Sequence, residues 1–247
     1  MSLVISHRGA NRLAPENTLS AFRKALEFGV DGFENDVHMT LDGHLVVCHD
    51  DDVKRTSNGS GLICEKTFGE LRALDFGGWF SPDFEGEKIP TLAEFFELCG
   101  PLKVINVEIK RAPDGSTAAA PAVVRLAKEM GVFGKLIISS FEMDMLQACL
   151  AEDTAARVCF LYAPDSPDCE AVCEDPAGFA KKYNLYAFHP FVMLVSEEFM
   201  DACHAAGIVV NPWTVNQERA LGLLRGWGAD GLITDDPGLA MRVIYGQ

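Results

Sequence analysis

The chain has no Cys-x-x-Cys pair, no apolar run of 18 residues, no low-complexity segment and no block of basic residues. Each absence removes a class of protein. The 8 cysteines are scattered, and the nearest pair, Cys169 and Cys173, has no histidine cluster beside it, which argues against a zinc module or a disulfide framework. Scattered thiols suit a reducing compartment. Without a long apolar run there is no candidate for a membrane-spanning helix. No basic stretch followed by an apolar segment and a cleavage site marks the N-terminus, so the expected location is cytoplasmic, with no stable membrane insertion. Cations are in short supply: 21 Lys and Arg stand against 36 Asp and Glu, a net charge of −15. Such a balance speaks against nucleic acid or an anionic membrane as the main partner. It leaves room for a small anion, provided cations are gathered locally in a pocket. No shift in composition marks a second domain, so residues 1–247 are expected to form one.

What is present is alternation. The 247 residues are 48% hydrophobic, enough for one large core. Eight short apolar runs cover residues 3–6, 32–37, 104–109, 136–139, 158–162, 185–188, 208–213 and 231–233. Most are followed by helical spacing. Leu19, Phe22 and Leu26 fall at i, i+3 and i+7, Asn17 or Thr18 can cap their helix, and Gly29 stops it. Further helices are expected at 117–130, 142–151, 176–183, 196–206, 216–226 and 237–245. Eight strand–helix alternations predict a TIM (β/α)8 barrel, with a doubly wound open sheet as the alternative. Between the second and third barrel strands the rhythm breaks for some sixty residues rich in Asp, Gly and Ser. An excursion of that length, with an insertion at about 50–90, predicts a functional loop or small subdomain at the C-terminal face of the barrel.

The strands carry charge where a core would not want it. Phe33-Glu34-Asn35-Asp36-Val37 puts Glu34 and Asp36 on one face, since strand side chains alternate. Asn106-Val107-Glu108-Ile109-Lys110 does the same for Glu108 and Lys110. Solvent exposure on an edge strand, or a plain Glu–Lys ion pair, is the dull explanation of each alone. Three inward carboxylates on neighbouring strands would repel unless a cation or a proton intervened. An all-oxygen set suits Mg²⁺ or Ca²⁺ better than zinc. After the second strand, Asp42-Gly43 signals a two-residue hairpin. That register sets Leu41 against His44 and Asp36 against His49, with Cβ atoms roughly 5 Å apart. His7 and Arg8 end the first strand. Two histidines can share acid and base roles. A metal, Arg8 and Lys110 would supply positive charge for an anionic substrate, which fits phosphoryl transfer.

These residues also stand in a known order. The segments HRGA…PENT, ENDV, DGHLVVCHD, RTSNG, GGWF, IPTL, NVEIK, SSF, WTVN and GLITDDP resemble the glycerophosphodiester phosphodiesterases, from Ile5 to about Pro237. The chain looks like the cytoplasmic bacterial members. The resemblance implies a TIM barrel with a small insertion after the second strand. It implies a divalent metal, Mg²⁺ or Ca²⁺, on Glu34, Asp36 and Glu108. It implies His7 and His49 as the acid/base pair, with Arg8 and Lys110 on the phosphate. It also suggests that Trp213, at the end of the seventh barrel strand, lines the substrate pocket. The implied reaction is hydrolysis of a glycerophosphodiester, such as glycerophosphocholine or glycerophosphoethanolamine, to sn-glycerol 3-phosphate and an alcohol. Two alternatives stand beside it. One is a phospholipase D-like lyase that releases a cyclic phosphate from a lysophospholipid. The other is a non-catalytic barrel that binds phosphodiesters. Spacing encodes neither the alcohol headgroup nor the oligomeric state. Of the remaining residues, Asp50, Asp51 and Asp52 read as the charge run of a solvated loop, with orientation of His49 by Asp50 as the alternative; Asn17 is expected to cap or to shape the site, and His189 to be structural. One of Asp235 and Asp236 is expected to cap the last helix. Trp79 and Phe80 are expected to shape the alcohol side of the pocket or to anchor the insertion.

Overall fold

β-Branched and aromatic runs flanked by turn residues form the strands of the computed structural model, which describes residues 1–246. In chain order the elements are β1 (Leu3–His7), α1 (Leu19–Leu26), β2 (Gly32–Met39), β3 (Leu45–Val47), α2 (Phe68–Ala73), α3 (Leu92–Leu98), β4 (Val104–Ile109), α4 (Ala119–Glu129), β5 (Leu136–Ser140), α5 (Met143–Glu152), β6 (Val158–Tyr162), α6 (Cys169–Glu174), α7 (Pro176–Tyr183), β7 (Ala187–Pro190), α8 (Glu197–Ala205), β8 (Val209–Val210), α9 (Glu218–Gly226), β9 (Gly231–Thr234) and α10 (Pro237–Tyr245). The parallel order is β8-β7-β6-β5-β4-β2-β1-β9, and β3 pairs antiparallel with β2 outside that path. Backbone bonds from Asp230 N to Val210 O, Ile233 N to Pro212 O and Val215 N to Ile233 O carry the ladder from β8 to β9. The eight parallel strands therefore make a nearly closed barrel, and the open-sheet alternative fails. Pro212 has no N–H to give, which helps explain why regular β8 is only two residues long.

Period two divides the side chains between two cores. Ile5, Val104, Ile137, Cys159, Ala187 and Ile233 fill the barrel interior. Phe33 and its neighbours of the other phase face the helices, where Phe22, Phe33 and Phe95 stack with ring centroids 4.7–6.0 Å apart. Gly32 is required by close approach, because a Cβ there would lie 2.4 Å from Val104 Cγ1. Thr18 caps α1 by accepting the Ala21 N–H.

The excursion after β3 has its own small core of Val46, Cys48, Val53, Ile63, Leu71, Phe76 and Ile89. Capping boxes at Thr67 and Thr91 start α2 and α3. The hairpin that leads into it departs from the expected register. Met39 pairs with Leu45, His38 with Val46 and Val37 with Val47. The loop has three residues, because Thr40 still bonds His44 and Gly43 takes φ +83°. That extra left-handed residue shifts the register by one. Asp36 thus bonds to Cys48, and His49 lies one residue beyond.

Candidate active site

Strand register assembles the acids. Asp36 of β2 sits beside Glu108 of β4, Glu34 sits beside Asn106, and His7 of β1 sits on the other side of Glu34. One carboxylate oxygen from each of Glu34, Asp36 and Glu108 lies within 4.8 Å of the others. All three residues are buried. His7 Nε2 is 3.8 Å from Glu34 Oε2. Arg8 follows β1 with φ +54° and Lys110 follows β4. They converge on the central acid, with Arg8 Nε 3.1 Å from Asp36 Oδ2 and Lys110 Nζ 2.9 Å from Asp36 Oδ1. Lys110 also pairs with Glu108. Despite the shifted hairpin, His49 reaches the same cleft from just beyond β3. The cleft has a volume of about 110 Å³ at the C-terminal mouth, with Glu34, Glu108, His7 and His49 on a polar side and Phe141, Leu161 and Trp213 on an apolar one. Such a mouth is where barrel sites are built.

Burial and pairing divide the three acids. Burial pushes Glu34 well above the usual carboxylate range, and Asp36 beside it pushes the same way. Glu108 is pushed up to about 7, again by burial first, with Lys110 opposing. Asp36 goes the other way: Lys110, Arg8 and the amide of Asn17 outweigh its burial and hold it well below its ordinary value. Asn17 has φ +58° and donates from Nδ2 to Asp36 Oδ2 at 2.8 Å. It shapes the site, and Thr18 does the capping. His49 is lowered by burial, with Lys110 and Arg8 adding to the effect.

Each histidine is backed by a carboxylate. His49 Nδ1 is 2.6 Å from Asp50 Oδ1, so Asp50 is more than part of a solvated charge run. His7 Nδ1 is 2.6 Å from Asp235 Oδ1, a partner the sequence reading missed. Asp235 also accepts from Asn11 Nδ2 at 2.6 Å and Asn216 Nδ2 at 2.7 Å. Burial opposes its ionisation, but His7, Asn11 and Asn216 hold it well below the usual carboxylate range. The available signal was phase, since Gly231, Ile233 and Asp235 alternate inward. Asp236 is the cap of α10. Carboxylates on both Nδ1 atoms fix the tautomer that leaves Nε2 free to take a proton.

The outlying residues sort simply. His189 is fully buried against Asn211, 2.9 Å away, and is pushed down to about 3 by that burial. Trp79 donates to Phe76 O and stacks edge-on with Phe80 within the excursion, away from the cleft. Trp213 lines the cleft and meets Phe141 edge-on at 5.6 Å.

The donor set fits a hard divalent cation. It offers only carboxylate oxygens, all buried, and two of the three acids resist ionisation without a positive charge between them. The buried Asn106 amide oxygen has no hydrogen-bond donor.

Fold and cleft together describe an α/β barrel with its candidate site at the C-terminal mouth. Comparison with known proteins narrows the class. Residues 7–239 match the glycerophosphoryl diester phosphodiesterase family, and the chain belongs to it. It is thus a phosphoric diester hydrolase by family. A glycerophosphodiester phosphodiesterase of Caldanaerobacter subterraneus subsp. tengcongensis is 37% identical over 244 residues, 98% of each chain. Among solved structures, an Oleispira antarctica phosphodiesterase in complex with the product sn-glycerol-3-phosphate superposes with TM-score 0.85 at 28% identity, covering 99% of this chain and 97% of that one. A glycerophosphodiester phosphodiesterase of Thermotoga maritima does so with TM-score 0.78 at 31% identity, covering 98% of each. No helix among the described residues is long and apolar enough to cross a membrane.

Proposed function

We propose that this chain is a metal-dependent hydrolase of glycerophosphodiesters, such as glycerophosphocholine or glycerophosphoethanolamine, that releases sn-glycerol 3-phosphate and an alcohol. The observation that carries the reading is the meeting of three buried carboxylates with two carboxylate-backed histidines in one cleft. Glu34, Asp36 and Glu108 would hold Mg²⁺ or Ca²⁺. A bound ion would neutralise the phosphate's non-bridging oxygens as charge builds on them. Arg8 and Lys110, now turned toward Asp36, supply the remaining positive charge for the phosphate. His7 and His49 divide the proton work: one takes the nucleophile's proton at Nε2 and the other delivers one to the leaving alkoxide. Trp213 and Phe141 form the wall against which the less polar part of the substrate rests and water is excluded.

The test is release of glycerol 3-phosphate from both substrates, followed by phosphorus NMR, with and without EDTA, for the wild type and His49→Ala. Release that ends on chelation, returns with Mg²⁺ or Ca²⁺ and is absent from the variant supports the reading. A cyclic phosphate as sole product would convert it to a lyase, and activity that survives both EDTA and loss of His49 would sink it.

A further inference from the structure

Two charged residues of the rim, Glu16 and Arg55, have no part in the chemistry above, yet they join its two halves. Glu16 lies in the loop after β1 and Arg55 ends a short 3-10 turn, Val53–Arg55, in the excursion. Arg55 reaches two carboxylates at once. Its Nη1 and Nη2 are 2.9 and 2.8 Å from the two oxygens of Glu16. Its Nε and Nη2 are 2.6 and 3.1 Å from the two oxygens of Asp50. Glu16 also accepts from Arg8 Nη1 at 3.1 Å, and Asp50 holds His49 Nδ1 at 2.6 Å. The result is an unbroken chain, Arg8–Glu16–Arg55–Asp50–His49. It ties the residue beside the β1 acid–base histidine to the second histidine, across segments some forty residues apart.

We infer that Arg55 is a positioning residue: through Asp50 it fixes the ring of His49, and through Glu16 it fixes the guanidinium of Arg8. An exposed ion pair alone would carry little. Here both carboxylates are gripped by two nitrogens each, a geometry only a planar guanidinium supplies. The turn that bears Arg55 is itself anchored. Val53 is fully buried in the small core of the excursion, and Ser57 donates back to Val53 O at 2.7 Å. The excursion therefore does more than decorate the barrel; it delivers the clamp.

The inference rests on the hydrolase reading for its kinetic readout, so a second readout is independent of activity. The full-length chain with Mg²⁺ or Ca²⁺ bound is assayed on glycerophosphocholine as wild type, Arg55→Lys, Arg55→Gln, Asp50→Asn and the Arg55→Gln/Asp50→Asn double variant. In Arg55→Gln, kcat should fall roughly 10- to 100-fold with KM changing far less, as when an orienting partner of a working group is lost. Arg55→Lys should be intermediate. The double variant should lose less than the two single losses combined, because the His49 branch is shared by both. An added Arg55→Ala variant, which opens space for the ion, should regain part of its activity with free guanidinium. In parallel, imidazole ¹⁵N shifts of His49 should report the Nδ1–H tautomer in the wild type and a mixture in Arg55→Gln. Should Arg55→Gln not fold, Arg55→Lys alone and with Asp50→Asn reads the same coupling. Wild-type kcat in a folded Arg55→Gln, additive losses, or an unchanged His49 tautomer would overturn the clamp. A wild type that releases nothing, while the tautomer still responds to Arg55, would leave the clamp standing and discard the hydrolase reading.

Discussion

His7 and Asp235 are 228 residues apart in sequence and 2.6 Å apart in space. Their pairing fixes which ring nitrogen is free to work. Asp235→Asn keeps the shape but can donate to Nδ1, which turns the ring to the wrong tautomer. The expected loss in kcat is on the order of 10²- to 10⁴-fold, with near-normal thermal stability, measured by steady-state kinetics beside a melting curve. A lowered melting temperature with kcat unchanged would argue that Asp235 is merely a scaffold. The sequence made Glu34, Asp36, Glu108, Arg8 and Lys110 legible because alternation within a strand is local. Asp235 was obscured because "TDDP" reads as a helix start for either aspartate, and only barrel closure separates the cap from the partner of His7. The same acids yield a pH prediction. Glu34 is raised well above its ordinary value and Glu108 to about 7, so at low pH protons occupy the places a cation needs. Affinity for Mg²⁺ or Ca²⁺ should rise as pH climbs from about 4.5 through 7, with protons released on binding. Calorimetry in buffers of different ionisation enthalpy would show it, and affinity independent of pH across that window would contradict the acid assignment.

At the scale of elements, two glycines with positive φ separate what the fold needs from what it merely accepts. Gly9 turns the chain from β1 toward α1 with φ +80°, and a Cβ there would lie 2.6 Å from the carbonyl carbon of Ala21. Gly43, in the β2–β3 loop, has φ +83° but nothing within 4 Å of a Cβ. Gly9→Ala should therefore cost about 1–3 kcal/mol from overpacking on top of its backbone strain, and should lower activity because Arg8 is the preceding residue. Gly43→Ala should cost about 1–2 kcal/mol of stability and leave kcat alone. Urea melts paired with the release assay decide this; equal effects at the two positions would mean that the close approach of α1 to the loop is not tight. Gly43 also explains what the sequence concealed. "DG" predicts a hairpin but not its length, and one added left-handed residue moved every cross-strand partner. Asp36 met Cys48 instead of His49, yet His49 still reached the cleft, because it lies beyond the end of the ladder.

The barrel as a whole puts a cationic task on an anionic body. The chain carries −15, while Arg8, Lys110 and Arg55 are collected at one mouth and already engaged by acids. The long-range field should repel an anion on approach, and the local cations act only within the cleft, where the dielectric is lower. The strand alternation foretold the barrel, since parallel strands separated by helices leave few other closures. It could not foretell this opposition between body and mouth, because the balance of charge around the cleft depends on which side chains the excursion folds over it. The consequence is a salt effect that depends on substrate charge. Glycerophosphocholine is neutral overall, whereas a diester of two glycerols carries one negative charge. Raising ionic strength from about 10 to 150 mM shortens the screening length from about 30 to 8 Å. kcat/KM for the anionic diester should then rise severalfold while that for glycerophosphocholine stays nearly level, with metal held saturating. A fall with salt for the anionic diester would mean that the mouth's own positive field extends beyond the cleft and steers the substrate in.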